Sequence, residues 1–522
     1  MIDLNRRALL QGGASLALLA LVSRAPLIAR PLGANPFTLG VASGDPWPDG
    51  FVIWTRLAPR PLDEHGGMPA VRVPVRWEVA EDHQFAKVVR HGEAMAVPEL
   101  GHSVHVEIEG LRPHRHYFYR FSVAGSELSP VGRVRTTPMH HEQVDRVRIG
   151  IGGCQHYEQG FFDAWQHMAQ EPDLDLVFHY GDYIYEYGAT PLGPRPGKWT
   201  AVRQHVGDEI YSIDDYRRRY AQYKSDAHLQ AAHAACAFAT TFDDHEIDNN
   251  FAGDIDQDGS TPEVFALRRM GGLQAWYENM PVRRSAFPSL AHGLTAYRRL
   301  QWGRLLRTHV LDTRSYRSDQ PCHDGKRGPC SWEARNAPQM LGSAQESWLE
   351  RGLATPSQWN LLAQQVIAMP VDFRQAGACE PAYATDLWDG YRPARQRLVE
   401  MIQRTSPGNV IIASGDHHRH LVGELPENDQ APDGNKVAVE FTAASITSNG
   451  NGVGAAPLQH IVDNNPHFAL YTDQRGYQVF DITPTRWTTE VKVMDYVDRP
   501  GSPIHTLQRF AVQHGRPQLL RL

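Results

Sequence analysis

Four short stretches of this chain carry side chains able to hold metal ions, and all four share a layout in which donor groups directly follow an apolar run. They are Gly153-Cys154, Gly181-Asp182-Tyr183-Ile184-Tyr185, Thr241-Phe242-Asp243-Asp244-His245-Glu246 and Ser414-Gly415-Asp416-His417-His418-Arg419-His420. Taken singly they read as a buried cysteine, a turn aspartate, a helix cap with its glutamate, and a polar loop. Taken together they point to one site, because open α/β sheets keep their chemistry at the carboxyl ends of strands. Thiolate, phenolate, imidazole and carboxylate donors in one place suit two metals of different hardness. Two such metals support hydrolysis at phosphorus, which needs a bridging carboxylate, ligands particular to each ion, and a proton donor for the leaving alkoxide.

The elements that must position these groups begin with Ile151–Tyr187, a βαβ pattern with a helix near Phe161–Ala169 and a second apolar run at Leu176–Tyr180. Further strands are expected at Val147–Gly152, Ala237–Thr241, Leu305–Asp312, Leu362–Ala368 and Val410–Ser414. Helices are expected at Ile213–Lys224, Ser225–Ala235, Pro262–Glu278, Ala344–Arg351 and Tyr391–Arg404. The Gly-, Pro- and aromatic-rich stretch Tyr187–Tyr211 reads as a long loop walling or covering the site.

Upstream of this lies an all-β texture. Phe37–Val41, Phe51–Leu57, Val73–Ala80, Ser103–Ile108, Tyr117–Val123 and Gly132–Thr136 are separated by Gly, Pro and Asp turns. Trp77 is expected as a core tryptophan and Tyr117 as a tyrosine corner, which makes the segment a fibronectin III-like sandwich without a site of its own. The organisation expected is a leader at 1–34, the sandwich at 35–138, a polar linker at 139–146, a catalytic α/β domain at 147–498, and a tail at 499–522.

With 522 residues, 41% of them hydrophobic, the chain can bury a large core, and a net charge of -7 gives no basic surplus for nucleic acid or an anionic membrane. Near the N-terminus, Arg6-Arg7 precede a short apolar stretch, about Ala14–Val22, that is too short to span a bilayer. This is the pattern of a twin-arginine export signal, with cleavage after Ala25, Ala29 or Ala34 left open, and it implies a periplasmic or secreted protein that uses the twin-arginine machinery. Of the five cysteines, Cys322 and Cys330 lie close in a loop and are the expected disulfide. Cys236 with Cys379 is a weaker pairing, and Cys154 is left as a free thiol.

The GDxxY of Gly181–Tyr185, the DDHE of Asp243–Glu246 and the GDxH of Gly415–His418 resemble the PhoD-type alkaline phosphatases, relatives of the purple acid phosphatases and other calcineurin-like metallophosphoesterases. Thr38–Pro59 and Leu311–Arg317 resemble the same family, so the likeness covers nearly the whole chain. The resemblance implies a four-layer α/β sandwich with two central mixed sheets, and an exported phosphatase acting on small phosphate esters with Fe³⁺ beside Ca²⁺. It makes Asp182 the bridging carboxylate, and Cys154, Tyr185 and His418 the remaining iron ligands. Asp244 and Asp416 fall at the second metal, where oxygen donors suit Ca²⁺. A hydroxide held between the metals would attack phosphorus, with His245 as proton donor and phosphate contact. Arg314 would grip the substrate phosphate or pair with a carboxylate. Asp243, Asn249, Asn250, His417 and His420 are weaker ligand candidates, and Tyr183 and Tyr187 read as wall or core. Two other readings stay open: a phosphodiesterase or phospholipase D-like enzyme on the same site, and a non-catalytic exported binding protein stabilised by its metals.

Overall fold

The computed structural model describes residues 34–124, 128–195, 199–288, 294–321, 324–327 and 338–522. Two sheets face each other at its centre. The larger has ten strands in the spatial order Arg516–Arg521, Ile504–Gln513, Arg486–Met494, Gly476–Ile482, Val147–Gly152, Leu176–His179, Ala237–Thr240, Val41–Trp47, Gly50–Arg56, Ser103–Ile108. The smaller has seven, in the order Arg298–Trp302, Leu306–Val310, Trp359–Ala363, Val410–Ser414, Lys436–Thr442, His420–Pro426, Phe468–Thr472.

The middle of each sheet is parallel. Leu176 lies opposite both Ile149 and Ala237 in the larger sheet, and Asn360 opposite Val410 and Ile411 opposite Val439 in the smaller. Strands buried on both faces read as unbroken apolar runs, which is why LVFH, AFAT and VIIAS were legible. Between the sheets, Ile149, Ile151, Phe178 and Tyr180 share a core with Leu361, Ile411, Ala413 and Phe441. The helices Asp163–Ala169, Ile213–Lys224, Ala227–Ala235 and Pro262–Asn279 cover the outer face of the larger sheet with Trp165, Tyr216, Tyr220 and Trp276. Gly342–Leu353 and Arg392–Thr405 cover the smaller with Leu349, Leu353, Leu398 and Ile402. The result is the expected four-layer α/β sandwich. Helix starts follow local chemistry: Ser212 and Asp215 form a capping box, Asp226 accepts from the His228 and Leu229 N–H groups, and Pro262 opens its helix.

In the N-terminal region a four-stranded sheet, ordered Val88–Ala96, Val73–Ala80, His116–Ser122, Gly132–Arg135, packs on Val41–Trp47, Gly50–Arg56 and Ser103–Ile108. Those last three strands also end the ten-stranded sheet, joined to it where Gly44 pairs with Phe238. The segment 35–138 therefore shares a sheet with the α/β region. A Cβ at Gly44 would strike the Phe238 and Pro281 carbonyls, so only glycine permits that seam. The Tyr117 hydroxyl accepts from the Arg112 N–H at 3.0 Å, as a tyrosine corner does, but Trp77 is only half-buried at the edge of the core.

Several expected bounds move. The strand expected at Phe37–Val41 starts at Val41, and the one expected at Leu362–Ala368 is Trp359–Ala363. The polar strand Val88–Ala96 and the strands between His420 and Met494 had no expected counterpart, and residues 499–522, expected as a tail, supply the last two strands at one end of the larger sheet. Within Tyr187–Tyr211, Gly193–Pro194 pairs with Thr200–Ala201, and Glu158 holds the loop by accepting from the Thr190 and His205 N–H groups. The export signal, through residue 33, and both Cys322 and Cys330 lie outside the described residues. Cys236 and Cys379 are free, so the weaker disulfide does not form. Among the described residues no helix is long and apolar enough to cross a membrane.

Candidate metal centre

The four donor stretches all sit just past the carboxyl ends of parallel strands. Cys154 follows Val147–Gly152, Asp182 follows Leu176–His179, and Asp243 and Asp244 follow Ala237–Thr240, all in the larger sheet. Asp416 and His418 follow Val410–Ser414 in the smaller sheet, so the site forms where the two sheets' strand ends meet. Four of these residues hold left-handed backbone: Cys154 (φ 49°), Asp182 (52°), Asp416 (60°) and His418 (58°). Non-glycine residues rarely adopt it, at a cost of about 1–3 kcal/mol each, and such strain gathers at functional sites.

Two devices hold the strained turns. The glycines before Cys154 and Asp416 bring both turns flat against the Tyr180 ring, where a Cβ would collide, and the Tyr180 hydroxyl donates to the Ala444 carbonyl at 2.7 Å. The Glu246 carboxylate, fully buried, accepts from the backbone N–H groups of Asp182 (3.1 Å), Tyr183 (2.6 Å) and Asp243 (2.8 Å). Glu246 thus stitches the GDxxY turn to the DDHE turn.

Donor atoms converge in three linked groups, with all the ligand atoms of a group within 4.8 Å of one another: Cys154, Asp182 and His418; Asp182, Asp244 and His245; and Asp243, Asp244 and Asp416. The Tyr185 hydroxyl joins the first group, donating to Asp182 Oδ2 at 2.7 Å and lying 3.1 Å from His418 Nε2. Ser448 Oγ lies 2.6 Å from that hydroxyl and donates to the Cys154 carbonyl at 2.7 Å. Asp182 Oδ1, Asp243 Oδ2 and Asp244 Oδ1 are buried with no hydrogen-bond partner, an expensive state for carboxylate oxygens and one that a bound cation relieves. The donor set fits metals: a soft thiol and imidazole with a phenol at one end, carboxylates alone at the other.

The electrostatics agree. Desolvation, then neighbouring carboxylates, push the Cys154 thiol and the Tyr185 phenol up, and desolvation pushes Asp416 up, with Asp243 adding to it. Desolvation also raises Asp182. Burial and then Arg475 and Arg419 hold His418 well below the usual histidine range, so its imidazole is neutral and able to ligate.

His245 stands apart. Burial disfavours its charge, but the carboxylates of Glu186, Asp244 and Asp182 outweigh burial and hold it protonated. Its Nδ1–H donates to Glu186 Oε2 at 2.7 Å, and its Nε2 lies 3.9 Å from Asp244 Oδ2. Glu186 also accepts from the Asn249 N–H at 3.0 Å. Tyr185 and Tyr187 flank the imidazole at ring distances of 4.2 and 5.3 Å.

Arg314 does not face an open cleft. Its guanidinium is fully buried behind the second cluster, paired with Asp243, with Asp386 (2.8 Å) and with Asp416 (2.8 Å), and 3.4 Å from Asp244. The carboxylate-pairing role is the one it takes, because each guanidinium nitrogen already donates to an aspartate. Asp243, ranked low from sequence, is in the cluster. Asn249 and Asn250 bond to Gln257 and Asp324, His420 Nδ1 accepts from the Ala444 N–H, and His417 sits against Tyr471 and Phe373. Tyr183 is core, bonded to His233.

The model for the PhoD-like phosphatase family matches residues 149–491, and that for its N-terminal domain matches residues 22–138. The chain belongs to the PhoD-like phosphatases. It is similar to alkaline phosphatase D of Bacillus subtilis (strain 168), with 43% identity over 99% of this chain and 89% of that one. A solved structure described as the structure of PhoD superposes with a TM-score of 0.90, at 43% identity over 95% of this chain and 93% of that one. PhoD-like phosphatases are phosphoric ester hydrolases, and the non-catalytic reading is set aside with that membership.

Sequence reasoning passed over Glu186, Ser448 and Asn449, and named Glu246 only as part of its motif. Glu186 had a local signal, an acid directly after the GDxxY tyrosine, while Ser448 and Asn449 sit after Lys436–Thr442, whose strand was not expected.

Proposed function

We propose that this chain is an exported alkaline phosphatase that hydrolyses phosphate esters at a two-metal centre. Fe³⁺ is assigned to Cys154, Asp182, Tyr185 and His418, and Ca²⁺ to Asp244 and Asp416, with Asp182 shared and Asp243 alongside. The observation that carries the reading is the linkage of the donor groups, with Asp182 common to the first two and Asp244 to the last two. When bound, such a pair neutralises charge on the phosphoryl oxygens and supplies an ionised water at ordinary pH.

The chain's own residues do the rest. Glu186 fixes the His245 ring by its Nδ1–H, leaving Nε2 to carry the proton that the departing alkoxide needs. Tyr185 and Tyr187 wall that proton from solvent. With a cation on His418 Nε2, the Nδ1–H needs an acceptor. Asn449 Nδ2 lies 3.0 Å from Nδ1, and a half-turn of the amide presents its oxygen there instead. Export by the twin-arginine route, carrying a folded and metal-loaded protein to the periplasm or beyond, accords with Arg6-Arg7 and the apolar stretch after them.

Elemental analysis and the visible spectrum of the purified protein test the assignment. Iron with a tyrosinate charge-transfer band is expected; a colourless, iron-free and fully active protein would refute it.

A further inference from the structure

A cleft of about 820 Å³ opens beside the centre, and none of its side chains belongs to the proposed ligand set. Its inner end is fixed at two points. Asn449 lines it and touches His418 Nδ1, the nitrogen turned away from Asp182. Trp199 also lines it, packed against Gly450, with its ring 5.9 Å from His156, which in turn lies 4.4 Å from Tyr185. A phosphoryl group at the centre would therefore have its substituent directed along this cleft.

The charges of the lining are unevenly committed. Asp473 accepts from the Val453 and Gly454 N–H groups at 2.7 Å each, and Asp498 pairs with Arg499. The guanidiniums of Arg195 and Arg419 donate to neutral groups: Arg195 to the Pro191 carbonyl, and Arg419 to the His418 carbonyl and toward the Tyr471 hydroxyl. Among the described residues neither is in an ion pair. Guanidinium suits planar, bidentate recognition of phosphate and carboxylate, and these two half-buried guanidiniums, neither held in an ion pair, are open to an anion entering the cleft.

We infer that this cleft holds the part of the substrate beyond the scissile phosphate, and that Arg195 and Arg419 select a substituent bearing a second anionic group. The inference rests on reading the neighbouring centre as the phosphoester site.

Linear alkylphosphonates ending in a carboxylate, compared with carboxamide-ended isosteres of matched and varied length, test it by calorimetric titration of the metal-replete protein. The carboxylate series should bind roughly three- to tenfold tighter at its best length, the range that partly exposed charge-assisted contacts supply, and raised salt should shrink the difference. Arg195→Gln and Arg419→Gln should each erode that advantage, while Arg60→Gln, outside the cleft, should not. Equal affinities for the two series in the unaltered protein, an unchanged advantage in both cleft variants, or an equal loss in the Arg60 variant would overturn the inference while leaving the phosphoester reading intact. Failure of every phosphonate to bind would overturn both.

Discussion

Glu186→Gln separates the proposed proton donor, His245, from the rest of the centre. The substitution keeps the size of the side chain and an oxygen able to accept from His245 Nδ1–H, so the 2.7 Å contact can persist; it removes one negative charge from a buried pair and turns the new amide NH2 toward the Asn249 N–H. Once cations sit on Asp182 and Asp244, Glu186 is the carboxylate that keeps the imidazolium charged. With charge centres ~4 Å apart and an effective dielectric of ~20, Coulomb's law gives about 4 kcal/mol. The retained hydrogen bond and residual field of the aspartates halve this to about 2 kcal/mol, or about thirtyfold in the protonated fraction on the alkaline side.

The sign follows from the direction of the His245 shift. Its folded pKa is raised, so the protonated donor and the stability it contributes are complete below the unfolded value and are lost as pH rises through the folded value. The variant should lose activity at lower pH than the parent, and its stability deficit should be present in mild acid and vanish at high pH. The assay is kcat/KM against pH on an alkyl phosphate and on p-nitrophenyl phosphate. The alkoxide cannot leave without a proton, whereas nitrophenolate can. A drop of about thirtyfold at alkaline pH for the alkyl ester with little change for the nitrophenyl ester is expected. An equal drop in both esters, or an unmoved profile, would show that His245 does not deliver the proton.

Other perturbations probe the scaffold and the ligands. Asp182→Asn should abolish turnover and empty at least one metal position by elemental analysis, since Asp182 joins two donor groups. Cys154→Ser should weaken retention of the proposed iron against a chelator, because a hydroxyl is a poorer anionic donor than a thiolate. Arg314→Gln leaves the buried carboxylates of Asp243, Asp386 and Asp416 short of a counter-charge and should lower stability by about 3–5 kcal/mol in denaturant titration. Glu246→Gln turns an N–H donor toward backbone N–H groups that now bond to carboxylate, and should reduce both metal content and the thermal midpoint.

What the sequence disclosed follows burial. Parallel strands covered on both faces print an apolar run, and donors placed at their ends stand out against it, which made the four donor stretches readable from type and position, while the resemblance to a known family singled out Cys154, Asp182, Asp244 and His418 within them. Val88–Ala96 was invisible because it is half-exposed, its polar residues spoiling the alternation on which strand recognition depends. The shared sheet was invisible for another reason: the seam between Val41–Trp47 and Ala237–Thr240 is a contact across nearly two hundred residues, and its local trace is a lone glycine at position 44.

Arg314 shows why a residue's type does not fix its task. An arginine near a phosphatase motif has two good partners, the substrate phosphate or the site's own carboxylates, and the bidentate chemistry is the same for both. The deciding fact is how many aspartates reach it, and Asp243, Asp386 and Asp416 come from three separate loops. One buried cation cannot balance those three carboxylates together with Asp244 and Asp182, and three of their oxygens stay without a hydrogen bond. The excess negative charge that Arg314 leaves uncompensated is what divalent and trivalent ions would neutralise. Removing metals by chelation should therefore destabilise the protein most at alkaline pH, where every carboxylate is ionised, and progressively less as protonation of Asp182 and Asp416, both raised by burial, takes over the ions' task. A chelator-induced drop in the thermal midpoint that did not shrink on acidification would mean that the ions stabilise the fold by something other than neutralising these carboxylates.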